Sequence, residues 1–293
     1  MARGIMVNNV AVPVSDVSYN AQRNPIVEKS FGHATEPEIY GGGVVYTGSF
    51  GGAYRPGNNG WQTVIKQFMG GNQAANVETF APDSVIPIKV SDEFDNTFEF
   101  GSCAITSIEI NCNVNDYTKI TANWIGTFAS YSTNNPCSSA EYTAPISVFY
   151  NTKIGNMKVK SLRLRLERPF DQQNFIIGSE YLQDLVQNDN VTISGSFTVS
   201  PTDYDLFKSI YLTGDPLSKT PSNANKNQII VDGATIEFRN PEGTSTIGTI
   251  VISKFALTDG DASANGRNQF EKTINFKVPV DNNTRKCSFT FGS

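Results

Sequence analysis

Apolar and polar residues alternate one by one through much of the chain. Val44–Phe50, Ile105–Ile110, Lys119–Trp124, Val159–Leu166, Val191–Phe197, Ile252–Leu257 and Glu271–Phe276 all carry this period of two, the mark of strands with one buried and one wet face. Two segments depart from it. Trp61, Val64, Ile65 and Phe68 fall at i, i+3, i+4 and i+7, and Tyr204, Phe207 and Tyr211 at i, i+3 and i+7. Each set makes one apolar stripe on a short helix, wide enough to cover a sheet. Ser200 precedes Asp203 by three residues in a capping pattern, and Gly70 and Gly214 stand where a helix stops.

The strands and helices recur in the same order in two halves. Val14–Tyr19 corresponds to Val159–Leu166, Val44–Phe50 to Val191–Phe197, Ile105–Ile110 to Ile252–Leu257, and Lys119–Trp124 to Glu271–Phe276. The sequence therefore predicts a mainly β chain of two tandem antiparallel domains, residues 1–126 and 157–293, each with one short helix. Residues 127–156 form the join, polar and turn-rich around Ser130–Pro136, with a strand near Ile146–Tyr150. Tyr19–Gly42 and Pro169–Asn190 are long connections, of the kind expected to have a task such as reaching another copy of the chain, beside it or in the next layer of an assembly. Gly243–Gly248 and Thr258–Arg267 read as extra loop material without a counterpart in the first half.

Composition strengthens the β reading: of 293 residues, 24 are Gly, 19 Phe and 11 Tyr, types that serve turns and pleated faces. With 39% hydrophobic and 17% charged residues the chain can build a core and is not disordered. The net charge of −5 supplies no basic excess for tight binding to a phosphate backbone. The first residues lack the apolar run of a secretory signal, so the chain is expected to stay where it is made. Four widely spaced cysteines contain no C-x-x-C pair and read as buried thiols.

Candidate chemistry is sparse. His33, the one histidine, sits without a partnering Cys or acid in a recognisable motif, and Gly41-Gly42-Gly43 precedes a strand instead of opening a phosphate-binding helix. No catalytic, cofactor or metal residue is predicted, and no enzyme activity. The one local concentration of positive charge, Lys158–Arg168, alternates Leu162, Leu164 and Leu166 with Arg163, Arg165 and Glu167. It is a strand with one charged face, either a solvated or subunit-facing surface or a face that meets passing DNA.

The whole constellation resembles the tail tube proteins of tailed viruses, in the form in which the tube fold is duplicated within one chain. The resemblance rests on Thr47-Gly48-Ser49-Phe50 through Gly60-Trp61 to Phe68-Met69-Gly70-Gly71, and on Phe100–Ser107 followed by Thr121-Ala122-Asn123-Trp124. In the second half it rests on Ser161–Leu164 through Ile177-Gly178-Ser179 to Ser194-Gly195-Ser196-Phe197. It implies tube-fold domains that are β-sandwiches or segments of a barrel. The implied function is a non-enzymatic virion protein, assembled in the host cytoplasm, whose stacked rings form the hollow tail tube through which viral DNA is ejected. Its first partner is itself: three duplicated chains per ring with pseudo-sixfold symmetry, or six chains as the alternative. Tape measure, tail terminator and baseplate proteins are the further partners implied; DNA passes without specific contact, and no membrane is involved. Another tail, baseplate or virion-decorating β-sandwich protein, or a surface adhesin, is the competing reading.

If Val17, Tyr46, Ala122 and Trp124 point at the helix, alternation sends Asp16, Ser18, Thr47, Ser49, Thr121 and Asn123 to the opposite face. The same rule exposes Arg163, Arg165, Thr192, Ser194, Ser196, Thr273 and Asn275 in the second half, together with Glu109, Lys119, Lys254 and Glu271. These are the candidate lumen residues: hydroxyl-rich, with four cations and three anions. Arg163 and Arg165 are expected to be offset by acids of adjoining strands.

Overall fold

The computed structural model describes residues 4–23, 26–27, 39–40, 42–69, 85–133, 136–138, 140, 142–154, 157–175, 179–199, 214–215, 220–221, 230–263, 271–279 and 287–291. The chain is mainly β. Its first half runs through Gly4–Val7 (β1), Val10–Val12 (β2), Asp16–Arg23 (β3), Ile26–Val27 (β4), Ile39–Tyr40 (β5), Val44–Ala53 (β6), the helix Asn59–Phe68 (α1), Ile86–Ser91 (β7), Thr97–Asn113 (β8), Lys119–Gly126 (β9) and Phe128–Ser132 (β10). Val148–Ile154 (β11), Met157–Glu167 (β12), Thr192–Val199 (β13), Gly214–Asp215 (β14), Thr220–Pro221 (β15), Ile230–Arg239 (β16), Thr246–Ser263 (β17), Glu271–Val278 (β18) and Cys287–Phe291 (β19) follow.

Antiparallel pairings join eight strands into one continuous span, in the order β3, β6, β9, β8, β12, β13, β18, β17. The first four come from one half of the chain and the last four from the other. Within each half the connectivity is the same, so that β3 answers to β12, β6 to β13, β9 to β18 and β8 to β17. The two long strands leave the span and serve a second layer. The start of β8 pairs β7 on one side and β10 on the other, with β1 and β2 beyond β7. The start of β17 likewise pairs β16 and β19, with β11 beyond β16.

The registers repeat as well. Val17 lies opposite Phe50 as Leu162 lies opposite Phe197, and Gly48 opposite Trp124 as Gly195 opposite Phe276. Both long strands shift register at one place, between Ile105 and Ser107 against β9 and between Leu257 and Asp259 against β18. This shift sets Ile105 level with Leu257 and corrects the sequence match, which put Ile105 against Ile252 and was displaced by five residues (252 to 257). Alternation along a strand of 17 or 18 residues looks alike at many offsets; the bulge and the neighbouring strand fix the true one.

Two further expectations change. Thr258–Ser263 is the distal part of β17, not loop material, and residues 127–156 hold, besides β11 where a strand was expected near Ile146–Tyr150, a second paired strand, β10, reaching into the stretch read as turn-rich. Of the long connections, Tyr19–Arg23 belongs to β3, and 169–190 folds back on the first half through a parallel bridge between Val44 and Tyr181 and the Val44 N–H to Glu180 carbonyl bond of 2.7 Å. Tyr204, Phe207 and Tyr211, the second helical stripe, lie outside the described residues, as does His33.

Helix α1 begins where Asn58 caps it: the side-chain oxygen accepts from the Gly60 N–H at 2.9 Å and the Trp61 N–H at 3.3 Å. Trp61, Val64, Ile65 and Phe68 are all buried, and the helix packs against β1, β2 and β8. One apolar core runs through both halves, from α1 and Ile108, Ile110 and Cys112 of β8 to Leu162, Leu164 and Leu166 of β12, and on to Phe197 and Phe276. The guanidinium of buried Arg168, just past β12, stands 5.2 Å over the ring of Phe68, so α1 of the first half also covers the start of the second.

Candidate functional site: a polar sheet face with two open edges

One face of the eight-stranded span meets the core, and the other is paved with short polar groups. Ser18, Ser49, Asn123, Ser107, Glu167 and Thr192 stand in one row across six successive strands. Ser18 and Ser49 share a 2.7 Å hydrogen bond, and the Asn123 amide donates to the Ser107 hydroxyl at 2.7 Å. A parallel row holds Thr121, Glu109, Arg165, Ser194 and Lys277, with exposed Asp16 opposite Gly51 at its β3 end. A third holds Lys119, Asn111, Arg163, Ser196, Asn275 and Asp259. Thr273 bonds across to Thr198 at 3.3 Å, and the Asn275 amide donates to the Asp259 carboxylate.

The remaining candidates sit at the margins. Thr47 is half-buried between Asn20 and Ile125, Glu271 opens β18 opposite Ser263, and Lys254 lies opposite Asp232 of β16, beyond the eight-stranded span. Ser107 and Asp259 were not among the residues predicted for this face. Strict alternation from Ile105 turns Ser107 inward, and only the bulge at Thr106, repeated at Thr258, brings each residue to the polar side.

Charges on this face are paired at short range. Arg163 Nη2 lies 2.6 Å from Glu109 Oε2, Arg165 Nη2 2.6 Å from Glu167 Oε1, and the Asn111 amide donates to Glu109 Oε1 at 2.8 Å. Partial burial pushes the Glu109 carboxyl up, but the hydrogen bonds from Arg163 and Asn111 and the charges of Arg163 and Arg165 outweigh it, leaving the group below its ordinary value. Among the described side chains, Lys119, Arg163, Arg165 and Lys277 are set against Asp16, Glu109, Glu167 and Asp259, so the face is close to neutral.

The face is closed at one end. Phe170, Leu182 and Leu185, from the segment after β12, pack with Val45, Ala104 and Ile125 in a small apolar cluster apart from the main core. The same segment walls a trough of about 720 Å³ whose floor includes Ser18, Thr47, Ser49, Ser107 and Asn123.

The described part of the span ends in two open edges. Among the described residues β3 pairs only with β6, and the distal part of β17 only with β18. Beside β3 runs an aromatic groove of about 500 Å³ lined by Tyr19, Tyr46, Phe98, Phe100 and Tyr131. Tyr19 lies 5.3 Å from the ring of Phe98 and 5.6 Å from that of Phe100, yet is 41% exposed. Of the four cysteines read as buried thiols, Cys103, Cys112 and Cys287 are free and buried, and burial pushes Cys112 and Cys287 up to about 12; Cys137 is free and only half-buried. No protein-family model matches the chain, and no curated protein matches it.

Proposed function

We propose that the chain is a structural virion protein that polymerises into stacked rings, forming a hollow tail tube for the passage of viral DNA. The observation that carries this reading is the β8–β12 pairing, where two like four-stranded units are already joined edge to edge while, among the described residues, the outer edge of each remains open. A chain with two unlike open edges adds copies head to tail, and such a contact closes into a ring or runs on as a helix. Two units per chain favour three chains per ring, with six as the alternative. The polar, charge-balanced face suits a wall along which a hydrated polyanion moves without being held. Tape measure, terminator and baseplate proteins are the partners this role entails.

Negative-stain micrographs of the purified chain test it. Long uniform tubes of stacked rings are the expected result. Isolated rings that never stack would favour a baseplate component, and monomers at every concentration would remove the reading.

A further inference from the structure

Among the described residues the two units meet strand to strand at one junction, β12 against β8, and the strands that correspond to its two sides have no second partner. β12 lies against β8 with Leu164 opposite Ile110 and Arg165 opposite Glu109. In the repeat, β3 corresponds to β12 and the distal part of β17 to the distal part of β8. Burial separates the paired strand from its open counterpart. Leu162, Leu164, Leu166 and Arg168 are at most 3% exposed, whereas Tyr19 and Ala21 are exposed, Val17 is half-buried and the Arg23 side chain is 60% exposed. β3 has eight residues, no proline, no lysine and no bulge, the devices that normally blunt a sheet edge.

Resting on the tube reading above, we infer that β3 of one copy pairs antiparallel with residues 259–263 of β17 in the next copy, in the register that β12 makes with β8. Carrying that register through the repeat sets Ser18 opposite Ser263, Tyr19 opposite Ala262, Asn20 opposite Asp261, Ala21 opposite Gly260 and Gln22 opposite Asp259. The bonds that bracket the internal junction, Arg168 N–H to Thr106 carbonyl at 2.7 Å and Val114 N–H to Lys160 carbonyl at 3.0 Å, identify its hydrogen-bonded pairs. Ser18–Ser263, Asn20–Asp261 and Gln22–Asp259 then fall at non-hydrogen-bonded sites, where Cα atoms approach to about 4.5 Å. The occupant of the edge is a second copy because the chain itself holds the matching half of the contact, and docking covers the apolar positions of β3 that β12 already buries.

The test is disulfide trapping in the full chain, whose native thiols are buried or half-buried. Asn20→Cys combined with Asp261→Cys, oxidised mildly under assembly conditions, should give a covalent ladder on a denaturing gel that ends at the closed ring. Asn20→Cys with Asp259→Cys is out of register, its diagonal separation of about 7–8 Å lying beyond a disulfide's reach, and should link at least ten-fold less. Ser18→Cys with Ser263→Cys is a second in-register pair, available if the first variant does not fold. Tubes in micrographs with linkage only at the out-of-register pair would overturn the register and leave the tube reading standing. A wild-type chain that stays monomeric in sedimentation, with no pair linking, would overturn both.

Discussion

Trp61 and Glu109 mark the two kinds of residue on which this fold depends. Trp61, on the buried face of α1, is fully enclosed beside Phe50, with ring centroids 5.8 Å apart, and its indole N–H finds no acceptor among the described residues. Its contribution is therefore volume and apolar area. Trp61→Ala should cost roughly 3–5 kcal/mol, a large share of the about 5–15 kcal/mol that holds a typical domain together. The expected outcome is little soluble folded chain, read by circular dichroism and expression yield, while Trp61→Phe keeps the fold. Glu109 works by charge. Its carboxyl is held below the ordinary value in the folded chain, so its contribution is present above the unfolded carboxylate's pKa of about 4.3 and is lost as pH falls through the folded value. Arg163 is 53% exposed, which limits the pair to about 1 kcal/mol or less. Glu109→Gln should lower the urea midpoint slightly at pH 7, and the difference from wild type should vanish once the solution is more acidic than the folded carboxyl's pKa. A difference that persisted there would mean that packing, not charge, explains the loss.

At the scale of elements, the sequence made strands legible and left their long-range registers open. Gly48 and Gly195 show why the repeat could be seen at all. A Cβ on Gly48 would meet the Trp124 ring and the Ser18 carbonyl at 2.5 Å, and one on Gly195 the Phe276 ring at 2.5 Å and the Arg163 carbonyl. Both halves need a glycine where an aromatic ring crosses the strand, so the Gly-Ser-Phe triplet survives in each. Nothing comparable pins β8 and β17 in the sequence. Their bulges are set by the strands beside them, which explains the five-residue displacement and the absence of Ser107 and Asp259 from the residues expected on the polar face. Nor does alternation say which strand pairs across the junction, since Leu162, Leu164 and Leu166 read as a buried face whatever covers them. The segment after β12 was legible only by its length; its packing depends on Phe170, Leu182 and Leu185 meeting Val45, Ala104 and Ile125 from the other half. Leu182→Asp should detach it, because an unpaired carboxylate replaces an apolar contact. Proteolysis between residues 170 and 190 should accelerate while strand content stays unchanged; equal cleavage rates would show that the backbone bonds of Val44 hold the segment without the cluster.

At the scale of the whole molecule, the tube proposed above makes one demand of the polar face, that it let DNA pass without holding it. The chain carries a net charge of −5, and the face sets Arg163 against Glu109 and Arg165 against Glu167 at 2.6 Å, so the charge of each guanidinium is offset by a carboxylate beside it. A conduit lined with uncompensated cations would bind its cargo more tightly with each phosphate neutralised, and the salt dependence of binding would steepen by about 0.9 for every such contact. Serine and threonine offer hydrogen bonds to water and carry no charge. Thr47, Ser49, Ser194 and Ser196 occupy both halves of the face on β6 and β13, neither of which forms an outer edge of the span, so changing them should leave assembly intact. Replacing all four by lysine should give tubes of normal width that retain duplex DNA at low salt and release it as salt rises, and a virus built from them should deliver its genome slowly. Wild-type tubes should show little retention at any salt. Well-formed lysine-substituted tubes that neither retain DNA nor delay delivery would remove these four positions from the lumen.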